Sequence, residues 1–144
     1  MKDTKHKTRV FISYSNKDED FVRSLRETLM ELSDVVVFDP AIESVKPERI
    51  RDTISKFLRD CDVVIALLSP ESSQSPNVLF ELGMAVGLGK TVIPIAKRNT
   101  DISSIPFNMR NRNIIVSTGP KSTARLLAKD IFPPRGPTKE TSEQ

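Results

Sequence analysis

Short apolar runs alternate with amphipathic stretches along most of the chain. The runs are rich in β-branched residues, which favours buried strands, and the longest is typical of a central strand covered on both faces. Five strands are predicted, at residues 9–13, 35–38, 62–68, 91–95 and 114–116. Because helical spacing of apolar residues appears between them, the pattern predicts a parallel sheet with helices on both faces.

The amphipathic stretches predict helices whose apolar sides can be read from the spacing. Asp18 is a candidate N-cap for the first of them, and the last spans residues 122–131. The expected buried faces of these two helices are Phe21, Leu25, Leu29 and Leu32, and Ala124, Leu126, Leu127 and Ile131. A second helix is predicted from Ile50, Ile54, Phe57 and Leu58.

The compact five-strand member of this class has strand order 2-1-3-4-5, which is the flavodoxin-like fold. Such sheets bind ligands outside the carboxyl ends of the strands that flank the reversal of winding, here the first and the third. Those ends carry Ser13, Tyr14 and Ser15 on one strand and Ser69 on the other. The sequence therefore predicts a crevice between these two segments.

One helix after the third strand contains a lone acid, Glu81. Ser75 and Pro76 provide an N-cap and a first helical residue, and the expected apolar stripe is Val78, Leu79, Leu82, Ala85 and Val86. Glu81 and Asn77 lie four residues apart at the edge of that stripe. Glu81 is then either a solvated flank residue or a functional carboxylate that faces the predicted crevice, and its convergence with Ser13, Tyr14, Ser69 and Asn77 favours the second interpretation.

Composition limits the classes of protein. With 144 residues, 38% hydrophobic, the chain is expected to form one domain at residues 9–132, between a basic leader at 1–8 and a disordered tail at 133–144. The net charge of +3 is partly concentrated in the leader, which argues against nucleic acid as a partner. No run is long enough for a membrane span, and Cys61 is the single cysteine, so a cytoplasmic location is expected.

Several kinds of site are excluded or disfavoured by the sequence. It contains no GxGxxG or GxxxxGK[ST] motif, and its one histidine, His6, lies in the leader. The acidic run Asp18, Glu19 and Asp20 is more typical of a helix start than of a metal site, so no metal is expected. Because the glycine-rich nucleotide-binding motifs are missing, no cofactor is expected either. A single carboxylate still suffices to cleave an N-glycosidic bond to a cationic leaving group such as nicotinamide, because that reaction needs stabilisation of a ribosyl cation and no general acid.

Several of these segments together resemble a Toll/interleukin-1 receptor (TIR) domain of bacterial type. The resemblance is carried by the segment FISYS with Asp18 and Phe21, by Asp39, by the segment 64–70 and by Ser75 with Glu81 and Leu82. It implies the flavodoxin-like fold and, for many members, hydrolysis of NAD⁺ with a Glu that matches Glu81. Other members are scaffolds that only assemble, which is the alternative from another functional class.

The resemblance also implies a site and a mode of assembly. Glu81 would be catalytic, and the expected substrate-binding residues are Ser13, Tyr14, Ser15, Asp39, Ser69 and Asn77. The family often has an aromatic residue where this chain has Asn77, and a glycine in the loop where it has residues 44–47. NAD⁺ would be the substrate, the loop 39–47 would mediate contacts between TIR domains, and the setting would be bacterial antiphage defence.

A shorter resemblance points to the same type of bond. Residues 76–83 with 88–90 are similar to nucleoside deoxyribosyltransferases, which use a Glu on the same kind of rim for N-glycosidic chemistry. A transferase acting on nucleosides is therefore the third functional hypothesis.

Overall fold

The computed structural model describes residues 7–38, 50–101, 103, 105–106, 109 and 112–136, with Ile50, Arg51 and Ser73 described by their backbone alone. The strands are β1 (Thr8–Ser13), β2 (Val35–Phe38), β3 (Val63–Leu68), β4 (Thr91–Ala96) and β5 (Ile115–Val116). The helices are α1 (Glu19–Leu32), α2 (Ile50–Asp60), α3 (Pro76–Gly87) and α4 (Pro120–Asp130). Short 3-10 turns at Asn16–Asp18 and Ser72–Gln74 precede α1 and α3.

The five strands form one parallel sheet in the order β2-β1-β3-β4-β5. This confirms the predicted flavodoxin-like topology, and the predicted strands agree with the observed ones to within one residue at each end. Since all strands run the same way, the segments that follow β1, β3 and β4 meet at one edge of the sheet. That carboxyl edge holds the candidate site.

Two hydrophobic layers cover the sheet. On one face α1 and α4 contribute Val22, Leu25, Leu29, Ala124 and Leu127 to the core. On the other face the core includes Leu58 from α2 and Val78, Leu82 and Ala85 from α3. The central strand β3 supplies alternate residues to both layers, as its unbroken apolar run predicts.

The buried faces of three helices are rotated relative to the prediction. Leu32 in α1, Leu79 in α3 and Leu126 in α4 are exposed, as is Ile131 just after α4, whereas Val22 and Thr123 are buried. In each helix both the expected and the observed set have spacings of three and four residues. Periodicity alone cannot choose between such neighbouring stripes, because the rotation of a helix about its axis is set by the sheet on which it packs.

Pro94 lies in β4, between β3 and β5, although a proline argues against a central strand. The short strand β5 explains the exception. Its pairing with β4 starts at Ile95, one residue after the proline, so at Pro94 the sheet has a paired neighbour only on the β3 side. The missing N–H of the proline is tolerated there as it is in an edge strand.

Residues after the predicted domain boundary at 132 are also part of the fold. Phe132, the last residue of the predicted domain, is buried, and Pro134 beyond it forms an antiparallel bridge with Ser33. The backbone N–H of Asp34 donates to the carbonyl of Pro133 at 3.2 Å, and that of Arg135 donates to the carbonyl of Leu32 at 3.1 Å. The predicted tail beyond residue 136, and the leader before residue 7, lie outside the described residues.

In the part of the chain that the structure describes, none of the helices has both the length and the apolar character that crossing a membrane requires.

Candidate functional site

Helix α3 brings Glu81 to the carboxyl edge of the sheet. Its start is fixed as the sequence predicts: the hydroxyl of Ser75 accepts a hydrogen bond from the N–H of Val78 at 3.3 Å, and Pro76 occupies the first turn. Glu81 does not lie at the edge of the buried face but within it, with Val78, Leu82 and Ala85, and is 8% exposed. A solvated flank position is therefore excluded.

Ser13, the last residue of β1, contacts Glu81 directly. Its hydroxyl donates to Glu81 Oε1 at 2.6 Å, and the two residues are 68 positions apart in the chain. Ser13 is 0% exposed and pairs in register with Ala66 of β3. The predicted convergence of the first strand and the α3 helix on one site is thus observed as a hydrogen bond.

Burial controls the protonation of Glu81. Removal of the carboxylate from water raises the pKa of Glu81 from its ordinary value of 4.5 to about 7, and the hydrogen bond from Ser13 partly offsets this rise because it favours the charged form. Both the carboxylate and the carboxylic acid are then populated near neutral pH. Such a group can stabilise a developing cation or exchange a proton with a substrate.

A second buried carboxylate, Asp18, joins three segments of the same edge. Ser69 Oγ donates to Asp18 Oδ2 at 2.6 Å, and Lys97 Nζ donates to Asp18 Oδ1 at 3.0 Å. The Lys97 ammonium also lies 5.4 Å from the centre of the Phe21 ring, within reach of a cation–π interaction. Asp18 does occupy the N-cap position of α1, but its side chain makes no capping hydrogen bond, so the capping role predicted for it is wrong.

The three acids at the start of α1 differ in burial. Asp18 points inward, whereas Glu19 and Asp20 pair with Arg23 on the surface at 3.9 and 3.0 Å. Within the described residues no group of three or more His, Cys, Asp or Glu side chains is placed to hold a metal ion.

The other predicted site residues differ in position. Tyr14 is half-buried, Asn77 is exposed, and the Ser15 hydroxyl accepts from the N–H of Lys17 at 3.3 Å, which orders the turn before α1. Asp39 lies outside the described residues, as does the loop 39–47. Ser69 is buried and contacts Asp18, so it reaches the second carboxylate instead of the surface of the rim.

Lys97 was not among the residues that the sequence predicts for the site. A signal for it was available, because Lys97 follows β4 directly and thus stands at the same carboxyl edge as Ser13 and Ser69. It also borders an open cavity of about 370 Å³ at the ends of β4 and β5. The residues lining this cavity are Phe21, Lys97, Arg98, Asn99, Ser117, Thr118, Gly119 and Pro120. Glu81 is not one of them, so the cavity and the carboxylate occupy different places along the edge.

The topology and the site define a class: a flavodoxin-like α/β domain in which a buried carboxylate of raised pKa, that of Glu81, lies at the carboxyl edge of the sheet. The family model described as TIR domain matches residues 10–127. The chain therefore belongs to the TIR domain family, which confirms the resemblance seen in the sequence. No curated protein matches it in sequence.

Solved structures of three kinds share the fold. The TIR domain of a Toll-related receptor from Hydra magnipapillata is 16% identical with a TM-score of 0.67, and the match covers 83% of this chain and 90% of that one. A CMP N-glycosidase from Clostridium botulinum is 20% identical with a TM-score of 0.62, covering 83% and 98%. A 2-desoxiribosyltransferase from Leishmania mexicana is 20% identical with a TM-score of 0.61, covering 87% and 99%. At these identities the likeness establishes the fold.

Proposed function

We propose that this TIR domain is an NAD⁺ glycohydrolase that uses Glu81 to cleave the bond between nicotinamide and ribose. The observation that carries the proposal is the buried carboxylate of Glu81, held by Ser13 at the carboxyl edge between β1 and β3. This is the place where open parallel sheets bind their ligands.

The reaction needs little beyond such a carboxylate. The bond between ribose C1′ and the nicotinamide nitrogen breaks, and its electron pair neutralises the positive charge of the departing ring. A negative side chain stabilises the positive charge that develops on the ribosyl group, most strongly in a site from which water is excluded. Water then adds to C1′ and releases a proton, which gives ADP-ribose; attack by a group of the same molecule would give a cyclic product.

Two of the structural neighbours support the proposal that the bond cleaved is an N-glycosidic bond. Their names, a CMP N-glycosidase and a 2-desoxiribosyltransferase, both refer to chemistry at the bond between a sugar and a base. Because they share about a fifth of their residues with this chain, they add support to a proposal that rests on Glu81. They also make transfer between nucleosides the second candidate function.

The direct test is incubation of the pure protein with NAD⁺, with nicotinamide and ADP-ribose measured by chromatography. We expect Glu81→Gln to reduce the rate by about a hundredfold or more, since removal of one electrostatic stabiliser of a transition state costs on the order of 3 kcal/mol. Glu71→Gln is the matched control, because Glu71 is an exposed acid in the turn before α3. Asn77→Ala should have a smaller effect, since it removes no charge at the reacting centre.

Each alternative predicts a different result in that assay. A wild-type protein that leaves NAD⁺ intact even at high concentration would favour a non-catalytic scaffold. Cleavage of CMP or of 2′-deoxynucleosides without cleavage of NAD⁺ would favour the nucleoside-directed hypothesis. An enzyme whose rate survives Glu81→Gln would place the chemistry at another residue.

We further propose that copies of the domain associate through the loop 39–47, as the family resemblance implies. The rate per molecule should then rise with protein concentration. Ile42→Asp places a charge in that loop and should lower both the oligomer size, measured by light scattering, and the rate of nicotinamide release. A fully active monomeric Ile42→Asp variant would contradict the proposal. A role in antiphage defence stays a prediction that rests on the resemblance, and a cytoplasmic location stays a prediction that rests on the composition of the chain.

A further inference from the structure

Asp18 is 2% exposed, and each of its carboxylate oxygens has its own donor. Ser69 Oγ lies 2.6 Å from Oδ2 and Lys97 Nζ lies 3.0 Å from Oδ1. A buried carboxylate is costly unless it is paired and hydrogen-bonded, and here both conditions are met. The three residues come from the segments after β1, β3 and β4, so Asp18 connects three parts of the carboxyl edge.

The connection continues into the loop between β3 and α3. Ser69 Oγ, which donates to Asp18, also accepts from the N–H of Ser72 at 3.2 Å. Ser72 Oγ in turn accepts from the N–H of Ser69 at 2.9 Å and donates to the carbonyl of Ser69 at 3.0 Å. Three residues later Ser75 caps α3. A continuous series of hydrogen bonds therefore leads from Asp18 to the turn before the helix that carries Glu81.

We propose that Asp18 is a positioning residue that holds the loop between β3 and α3 and thereby the place of Glu81. It acts through Ser69 and does not itself contact the substrate. The kinetic part of this inference rests on the proposed NAD⁺ cleavage; the structural part does not. A small displacement of a catalytic group can cost orders of magnitude in rate, so the effect of losing Asp18 should be measurable in kcat.

The first test compares Asp18→Ala and Asp18→Asn with Asp20→Asn in the NAD⁺ assay at 20 °C. We expect Asp18→Ala to lower kcat by about tenfold or more while KM changes by less than about twofold, because positioning acts on the reacting geometry and not on uniform binding. Asp18→Asn keeps the volume and one acceptor and should lie between the wild type and Asp18→Ala. Asp20, two residues later on α1 and fully exposed, should be replaceable without effect.

The second test needs no activity and measures hydrogen exchange of the Ser69 and Ser72 amides. Both should exchange at least about tenfold faster in Asp18→Ala, while the core amides of β1 and β3 keep their protection after correction for any change in global stability. If Asp18→Ala does not fold, the same two measurements on Asp18→Asn decide the question.

The outcomes separate the two proposals. Unchanged kcat and unchanged exchange at Ser69 and Ser72 in a folded Asp18 variant would overturn the positioning role. A lower melting temperature with unchanged kcat at 20 °C would also overturn it, since that is the result of a purely structural contact. If the wild type does not cleave NAD⁺, the proposed function fails, and faster exchange confined to the loop still supports the positioning role.

Discussion

At the scale of single residues, the burial of Glu81 couples its chemistry to the stability of the domain. Its pKa is about 7 in the folded protein and 4.5 ordinarily, so between these values the folded state binds more protons than the unfolded state. Stability from this group is therefore complete below pH 4.5 and is lost as the pH rises through about 7. Above that pH the domain retains a buried negative charge at a cost to stability.

Glu81→Gln should consequently stabilise the domain at alkaline pH. We expect a gain on the order of 3 kcal/mol at pH 8, which shrinks as the pH falls toward 4.5, because the amide is uncharged at every pH. Urea unfolding at several pH values measures it. Equal stability of the variant and the wild type at pH 8 would show that the carboxylate is well solvated in the folded state.

Ser13→Ala should raise the pKa of Glu81 further. The Ser13 hydroxyl favours the charged carboxylate, so its removal leaves desolvation less opposed. If the carboxylate is the active form, the rise of kcat with pH should move upward by about one pH unit, the usual worth of a hydrogen bond to a charged group. A carbon-13 NMR titration of the Glu81 carboxyl provides the same information without activity.

Ser15→Ala is the control for that experiment. Ser15 is also a buried serine, two residues after the end of β1, but its hydroxyl accepts from the N–H of Lys17. Its replacement should leave the titration of Glu81 in place. Equal shifts in both variants would mean that the effect of Ser13 is not its hydrogen bond to Glu81.

At the scale of elements, the sequence of α3 predicts where the helix begins but not which of its sides is buried, because the helix is almost wholly apolar. Its start is specified locally, by Ser75 and Pro76, and the structure has both in the expected roles. Its buried side is not specified locally, because apolar residues occur on every side of the helix. Leu79 and Phe80 are exposed, while Glu81 is buried. The face that α3 turns to β1 and β3 is selected by packing over the whole sheet, and this selection makes Glu81 a buried acid.

Strand β4 is a second element whose place in the sheet depends on a neighbouring strand. Pro94 lowers the intrinsic preference of the segment for a central position. The position is nevertheless tolerated because β5 has two residues and pairs only beyond the proline. The length of β5 is set by a different segment of the chain. The residues of β4 at 91–96 therefore cannot by themselves predict that the proline is tolerated.

At the scale of the whole molecule, the segment after α4 returns to the opposite end of the sheet order and pairs beside β2. Two backbone hydrogen bonds and the bridge between Ser33 and Pro134 connect it there. A protein ending at residue 132 should be less stable than one ending at residue 136 by about 2 kcal/mol, the net worth of two such bonds. Urea unfolding of the two truncated proteins measures the difference, and identical midpoints would show that the pairing contributes nothing.

The sequence by itself determined the order and type of the elements, the parallel 2-1-3-4-5 sheet, the cap of α3 and the place of Glu81 near the end of β1. These follow from local patterns: apolar runs, helical spacing and capping residues act within a few positions of the chain. Only the tertiary structure decided that Ser13 contacts Glu81 and that Asp18, Ser69 and Lys97 form one network. Those contacts join residues 51 to 79 positions apart. They depend on how each helix is rotated about its axis and on which side chains are buried when the elements pack together.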